Sequence, residues 1–443
     1  MALSFGSSYA LPHQARFALG RRAAVEIALV VLPAVALGYM VGHGVGGRLP
    51  VVAAFVGLAA MALLFTSPRL AAVAMGASIP ALQDLLGGHQ AFHLTASDVV
   101  LVVIGARILG DTTLLGTTFA FRALRPVRFP VLQYVWLVLV LLALHPGLGS
   151  ALKGAQRLEL LLLPVLVGAY VAIRREHMLV IRGYVIASTV LAVVCPLNLF
   201  HIQTQLQKNP TGQLLANAML LLIGVRSLRR FLPCLPVLLV GLFLTASRGA
   251  ILALLVGVAV IVLVNTGPNL RLAFARILPI GLAALVIFQW LPTNVRSHVS
   301  ELSANTSTSA GYSIYLRDQY QHQATRLIAA HPWTGVGVGN YYIPGNVINP
   351  TTSLDPHNVI LLQAAEGGYL FAASFVMLLL GAVLAMWRLR RIELAVVAIA
   401  VLLATFVHGL VDVYWVRGTP VLGWMLAGIV CGVAWRHQRE LEA

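Results

Sequence analysis

Long apolar runs, broken by short polar or arginine-bearing segments, fill most of the 443-residue chain. The runs fall at about 24–42, 51–66, 70–83, 97–109, 130–145, 157–173, 178–197, 213–225, 231–246, 249–265, 275–291, 357–386, 392–411 and 420–435. A helix needs roughly 20 apolar residues to cross the hydrocarbon core, and several runs are shorter, so neighbours can merge or dip in without crossing. The pattern predicts an all-α polytopic membrane protein with about 12 (12–14) transmembrane helices, organised as a single membrane domain over 1–443. One long polar break, 292–356, interrupts it as a large, partly helical aqueous loop.

That loop has internal order in its pattern. Ser297 to Gly311 is rich in Ser, Thr and Asn and is expected to be mobile. From Ser313 to Ala330, the positions Ile314, Tyr315, Tyr320, Ala324, Leu327 and Ile328 recur at roughly helical spacing, with Arg317 and Arg326 among them. His331-Pro332-Trp333 ends this helix, and Gly335, Gly337 and Gly339 with Asn340 predict a flexible turn. The loop closes on Asp355-Pro356-His357-Asn358, where a long apolar run starts. Asp355 suits a helix cap and Pro356 a first turn. His357 is then expected in that first turn, where free N–H groups and the helix dipole oppose a positive imidazole and leave it able to take a proton.

Composition sharpens the class. The chain is 59% hydrophobic and 10% charged, a balance that no soluble domain has, and its mean hydropathy is +0.88. Lys+Arg number 30 against Asp+Glu 14, a net charge of +16. In a soluble chain this excess would suggest nucleic acid. Here the arginines cluster at alternate helix ends, so the positive-inside rule accounts for them and no nucleic-acid partner is expected. Arg69, Arg122, Arg125, Arg128, Arg174, Arg175, Arg226, Arg229, Arg230, Arg271, Arg276, Arg388, Arg390, Arg391, Arg436 and Arg439 define the cytoplasmic side. Arg48, Lys153, Arg157, Lys208 and Arg417 mark the sparser outer side, and parity puts both termini inside and the 292–356 loop outside. Arg16, Arg21 and Arg22 before the first run, with no small-residue cleavage site, predict a retained anchor. Cys195, Cys234 and Cys431 sit in apolar runs without metal-like spacing and read as packing residues.

Few residues remain for chemistry, and each has a plain reading beside the functional one. Thr245 to Ala250 interrupts two apolar runs near the outer face. Its Arg248 is either a snorkelling side chain on lipid headgroups or a cavity-facing cation for a substrate phosphate, with Ser247 beside it and Gly249 allowing close backbone approach. Arg317, among Tyr312, Tyr315 and Tyr320, is either a solvated charge paired with Asp318 or Glu301, or a second phosphate clamp. Arg326 reads as a solvated charge first and a substrate contact second, and Asn358 and Glu366 are weaker candidates. Gly367-Gly368 is expected to permit close helix packing. His408 and Asp412, at i and i+4, are placed to pair, with Trp415 and Arg417 at an opening. Arg107 and Arg182 are the main intramembrane charges, and both fit near helix ends. No Asp-x-Asp pair, His-Glu-x-x-His or Gly-x-Ser-x-Gly occurs, so neither a metal nor another cofactor is expected.

Three motifs in order resemble the O-antigen ligase/polymerase superfamily of lipopolysaccharide biosynthesis. They are Ser247-Arg248-Gly249-Ala250, the stretch from Arg326 to Tyr342 around His331-Pro332-Trp333, and His357-Asn358 followed by Gly367-Gly368. The likeness runs over about 240–410, and before that it is one of hydropathy only. It implies a GT-C-like glycosyltransferase of the bacterial inner membrane with its site facing the periplasm. It implies metal-independent, inverting transfer of O-antigen from undecaprenyl pyrophosphate to lipid A-core oligosaccharide. Carried over, Arg248 matches the arginine after the outer-face serine, Arg317 the loop arginine and His357 the histidine opening the post-loop helix. Positive charge at Arg248 and Arg317 suits an anionic pyrophosphate leaving group. Tyr315, Ser247, Asn358 and Arg326 are the accompanying candidates for substrate binding. An O-antigen polymerase, another lipid-linked oligosaccharide transferase, and a lipid-linked sugar flippase remain the alternatives. A flippase needs a polar path across the bilayer, whereas Arg248, the loop and His357 gather at one face.

Overall fold

The computed structural model describes residues 67–81, 95–115, 122–199, 208–266, 307–341, 355–415 and 418–442, with isolated positions at 278, 282, 286, 289, 300, 303 and 304. The expected anchor, the runs 24–42 and 51–66, and all but four positions of the run 275–291 lie outside these residues. So do Ser297 and most of the segment expected to be mobile, Glu301, and Arg417.

Among the described residues the chain is all helical. The helices are α1 Pro68–Ser78, α2 Ala96–Leu115, α3 Arg128–Leu144, α4 Leu148–Ile173, α5 His177–Leu199, α6 Lys208–Gly224 and α7 Cys234–Leu244. They continue as α8 Arg248–Thr266, α9 Ser309–Ala330, α10 Val359–Arg388, α11 Glu393–Gly409 and α12 Val421–Glu442. Four of them, Leu148–Ile173, His177–Val194 within α5, Arg248–Thr266 and Val359–Arg388, are long and apolar enough to cross a membrane. Leu370, Met377, Leu380 and Leu384 on α10, and Leu132, Trp136 and Leu139 on α3, are exposed. Stripes of this kind fit a helix surface solvated by hydrocarbon.

The bundle is organised by α4 against α12, α1 against α5, α8 against α6 and α11, and α10 against α3, α9 and α11. Small residues set the closest seams. A Cβ on Gly168 would lie 2.2 Å from the Met425 carbonyl oxygen, and one on Gly428 would lie 2.1 Å from that of Val165. Backbones therefore touch where α4 crosses α12, as membrane helices do at small-residue contacts. One end of the bundle collects Arg69 with Glu176 at 3.2 Å and Arg175 with Glu440 at 2.7 Å. These are arginines that the charge pattern groups on a single side. Arg107, an intramembrane charge in the sequence, is buried with its Nε donating to the Tyr170 hydroxyl at 3.1 Å.

The loop helix and the post-loop helix are built by local chemistry. Thr308 caps α9, its Oγ1 accepting from Gly311 N–H at 3.1 Å, and the helix stops at His331 because Pro332 disfavours helical backbone before it. The start of α10 differs from expectation. Asn358, not Asp355, is its N-cap, the amide oxygen accepting from Ile360 and Leu361 N–H at 3.0 and 3.1 Å. Asp355 instead accepts from His357 N–H at 2.7 Å, closing a turn that holds His357 at φ +52 before the helix begins. His357 is therefore outside the first turn, and the helix-dipole argument does not apply to it.

Gly367 permits the close helix packing expected of it, since a Cβ there would lie 2.4 Å from Leu141 Cδ1 on α3, but Gly367 and Gly368 do more than that. They break α10, with Gly367 at φ −139 and Gly368 at φ +72, ψ −175. The carbonyls exposed by the break hold the glycine segment. Val336 N–H donates to Ala365 O at 3.0 Å, Gly337 N–H to Glu366 O at 2.8 Å, and Tyr369 N–H to Pro332 O at 2.8 Å. The expected flexible turn is thus a pinned loop, and its glycines are required by contact. A Cβ on Gly335 would lie 2.2 Å from the Glu366 carbonyl carbon.

Candidate functional site

Asp412, just past α11, is the centre of a polar cluster at the end of the bundle where α10 begins. Its Oδ1 lies 3.0 Å from His357 Nδ1 and its Oδ2 lies 3.8 Å from Arg317 Nη2. His408 Nε2 comes within 4.0 Å of the same carboxylate. Burial alone would push the Asp412 carboxyl up, yet the hydrogen bond from His357 and the charges of His408, His357 and Arg317 hold it below its ordinary value. It is therefore a carboxylate, which only accepts hydrogen bonds. His357 Nδ1 therefore donates to Asp412, and in the neutral form of the imidazole Nε2 is then the acceptor on the opposite edge of the ring. Tyr320 stacks on that ring, with centroids 6.1 Å apart and an interplanar angle of 17°.

The residues singled out in the sequence separate here. Arg317 and His357 meet on Asp412, joined by His408. Arg248 opens α8 and is half-buried. Its neighbour Gly249 abuts the cluster, since a Cβ there would lie 3.1 Å from His408 Cδ2. Ser247 is buried, its Oγ accepting from Ala250 N–H at 3.4 Å as the first turn of α8 closes. Asn358 has its amide oxygen committed to the cap of α10. Tyr315 is exposed and stacks on Tyr312 at 6.3 Å. Arg326 is exposed, and among the described residues no hydrogen bond or ion pair joins it to the cluster. Arg317 pairs with Asp412 rather than Asp318, whose side chain faces His322 at 3.6 Å.

Sequence reasoning noticed Asp412 only as a partner for His408. Its contacts with His357 and Arg317 span 55 and 95 positions, which no local spacing reveals. It named Glu366 only as a weaker candidate and Arg157 only as an outer-side charge, and missed the second polar centre that they form together. Arg157 on α4 and Glu366 at the α10 break form a buried ion pair at 2.6 Å, with side chains 5% and 3% exposed. Glu366 Oε1 also accepts from Gly339 N–H at 2.8 Å.

Asp355 links the two centres electrostatically. Burial pushes its carboxyl up to about 6; His357 pulls against this through its charge and backbone N–H, while Glu366 and Asp412 push the same way as burial. A carboxyl that binds its proton more tightly when folded contributes stability below about pH 4, and that contribution is lost as pH rises through about 6. Asp355→Asn keeps an oxygen for His357 N–H and removes the charge. The variant is expected to melt above the parent near neutral pH and level with it below about pH 4. Thermal melts at both pH values check this, and a gap that does not close with acid would refute it.

The helices and their apolar stripes define a membrane protein. Residues 234–376 match the family described as O-Antigen ligase. The matched segment holds the three motifs singled out in the sequence, and it contains Arg248, Arg317 and His357 while leaving Arg157 and Asp412 outside. No curated protein matches the chain.

Proposed function

We propose that this protein is an O-antigen ligase that works at the periplasmic face of the inner membrane. It transfers glycan from undecaprenyl pyrophosphate to lipid A-core oligosaccharide. The observation that carries the reading is the sharing of Asp412 by His357 and Arg317, both inside the segment that matches the O-antigen ligase family.

The chemistry suits those groups. The leaving group is a diphosphate, which needs positive charge more than a proton. Arg317 and Arg248 bind its oxygens and stabilise the charge that builds as the sugar bond breaks. The acceptor hydroxyl gives its proton to His357 Nε2 as its oxygen attacks the anomeric carbon. The electron pair of the old sugar–oxygen bond leaves with the diphosphate, and attack from the opposite side inverts the anomeric centre. Asp412 keeps Nδ1 protonated and the ring oriented throughout. The donor bond is already activated, so no nucleotide is consumed.

Reconstitution in liposomes with lipid-linked glycan tests the reading, offering either lipid A-core or a second glycan-diphospholipid as acceptor. Transfer to lipid A-core supports the ligase. Transfer only to the second glycan-lipid identifies a polymerase, and movement of glycan-lipid without transfer identifies a flippase. Arg317→Ala, expressed at the parent level, is expected to lose about 10²–10³-fold in rate, and full activity would remove its role.

A further inference from the structure

The Arg157–Glu366 pair sits where α4, the α10 break, the glycine loop and the segment after α11 meet. On α10, Glu366 lies nine residues after His357 and accepts from the glycine loop through both its carboxylate and its backbone carbonyl. On α4, Arg157 pairs with Glu366 and lies over two rings, 5.9 Å from the centroid of Phe371 and 5.8 Å from that of Trp415. Phe371 belongs to α10, which His357 precedes, and Trp415 lies three residues beyond Asp412. One buried guanidinium therefore ties down both sides of the His357–Asp412 contact.

The loop it holds reaches the same place from the other direction. Two residues after Gly339 stands Tyr341, 2% exposed, whose hydroxyl donates to the Tyr320 carbonyl oxygen at 2.6 Å. Tyr320 is on α9, three residues from Arg317, and its ring stacks on His357. Tyr341 thus fixes the turn of α9 that presents Arg317 to Asp412 and Tyr320 to the imidazole. Replacing a buried pair by apolar residues is often neutral for stability, so a buried pair at this junction is better explained by what it orients than by stability.

We infer that Arg157, Glu366 and Tyr341 are positioning residues for His357, acting through the pinned glycine loop and the Tyr320 ring. This rests on the proposed role of His357. None of the three touches the reacting atoms.

The test is a kinetic cycle in the liposome transfer assay. Tyr341→Phe removes one hydroxyl and keeps the ring, so the fold should survive it, and the melting temperature verifies that. Loss of one such hydrogen bond is expected to lower kcat about three- to tenfold, with KM for the lipid-linked donor within about twofold. Glu366→Gln, which keeps an oxygen for Gly339 N–H, is expected to lower kcat further. The decisive arm repeats Tyr341→Phe in a His357→Gln background. Groups that act through one another are non-additive, so the second substitution should then cost nothing more. A full additional loss there, or parent kinetics in well-folded Tyr341→Phe and Glu366→Gln, overturns the inference. If His357→Gln alone keeps parent activity, it is the proposed role of His357 that fails.

Discussion

Replacing His357 by alanine is expected to lower glycan transfer by about 10²–10⁴-fold, the usual contribution of a positioned general base. The geometry makes the loss specific. His357 Nδ1 is held by Asp412 at 3.0 Å and its ring by Tyr320, so one lone pair is presented in a defined direction. Alanine deletes that lone pair but leaves the cap of α10, which Asn358 supplies from its own side chain. Alanine keeps a Cβ at φ +52, so the backbone there is no more and no less accessible than in the parent. Expression and melting temperature should therefore stay near the parent while the rate falls. The proposed roles also predict that donor binding, which depends on Arg248 and Arg317, is little changed. The check is a transfer assay together with a donor-binding assay on the same liposomes. Parent activity in His357→Ala would remove the base from the mechanism, and loss of binding along with rate would move His357 to the donor site.

Gly368→Ala is expected to be the most damaging single substitution for the fold around the site. Its backbone, φ +72 and ψ −175, lies in a region that only glycine occupies freely. A Cβ there would also lie 2.5 Å from the Trp333 carbonyl carbon and 2.6 Å from the Pro332 carbonyl oxygen. Backbone cannot move aside as a flexible side chain does. The strain costs about 1–3 kcal/mol, and the clash adds to it by displacing Pro332 O from Tyr369 N–H, which it accepts at 2.8 Å. The loop should lift from the α10 break, and protease sensitivity near Trp333 should rise along with a drop in melting temperature. Parent-like melting and protease resistance would show that the break tolerates a side chain.

The run of hydrophobic positions was enough to read an all-helical membrane protein. Burial in hydrocarbon demands internally satisfied backbone, and helices do this from local sequence. Composition, the placement of arginines and three short motifs then pointed to the superfamily and to Arg248, Arg317 and His357, because each is a local property of a few residues. Cap chemistry was half legible. The cluster Asp355 to Asn358 announced a helix start, but which of two side chains capped it depended on the backbone that Asp355 itself closed around His357.

Sequence alone determined that the apolar runs among the described residues are helical, which residue types were left for chemistry, and that glycines gather after His331. Only the tertiary structure decided that Asp412 serves His357 and Arg317, that Gly367-Gly368 breaks a helix to seat a loop, and that Arg157 and Glu366 lock the junction. The reason is separation along the chain. Arg157 and Glu366 are 209 positions apart and His357 and Asp412 are 55, so their attraction acts only after α4, α10 and the end of α11 have packed.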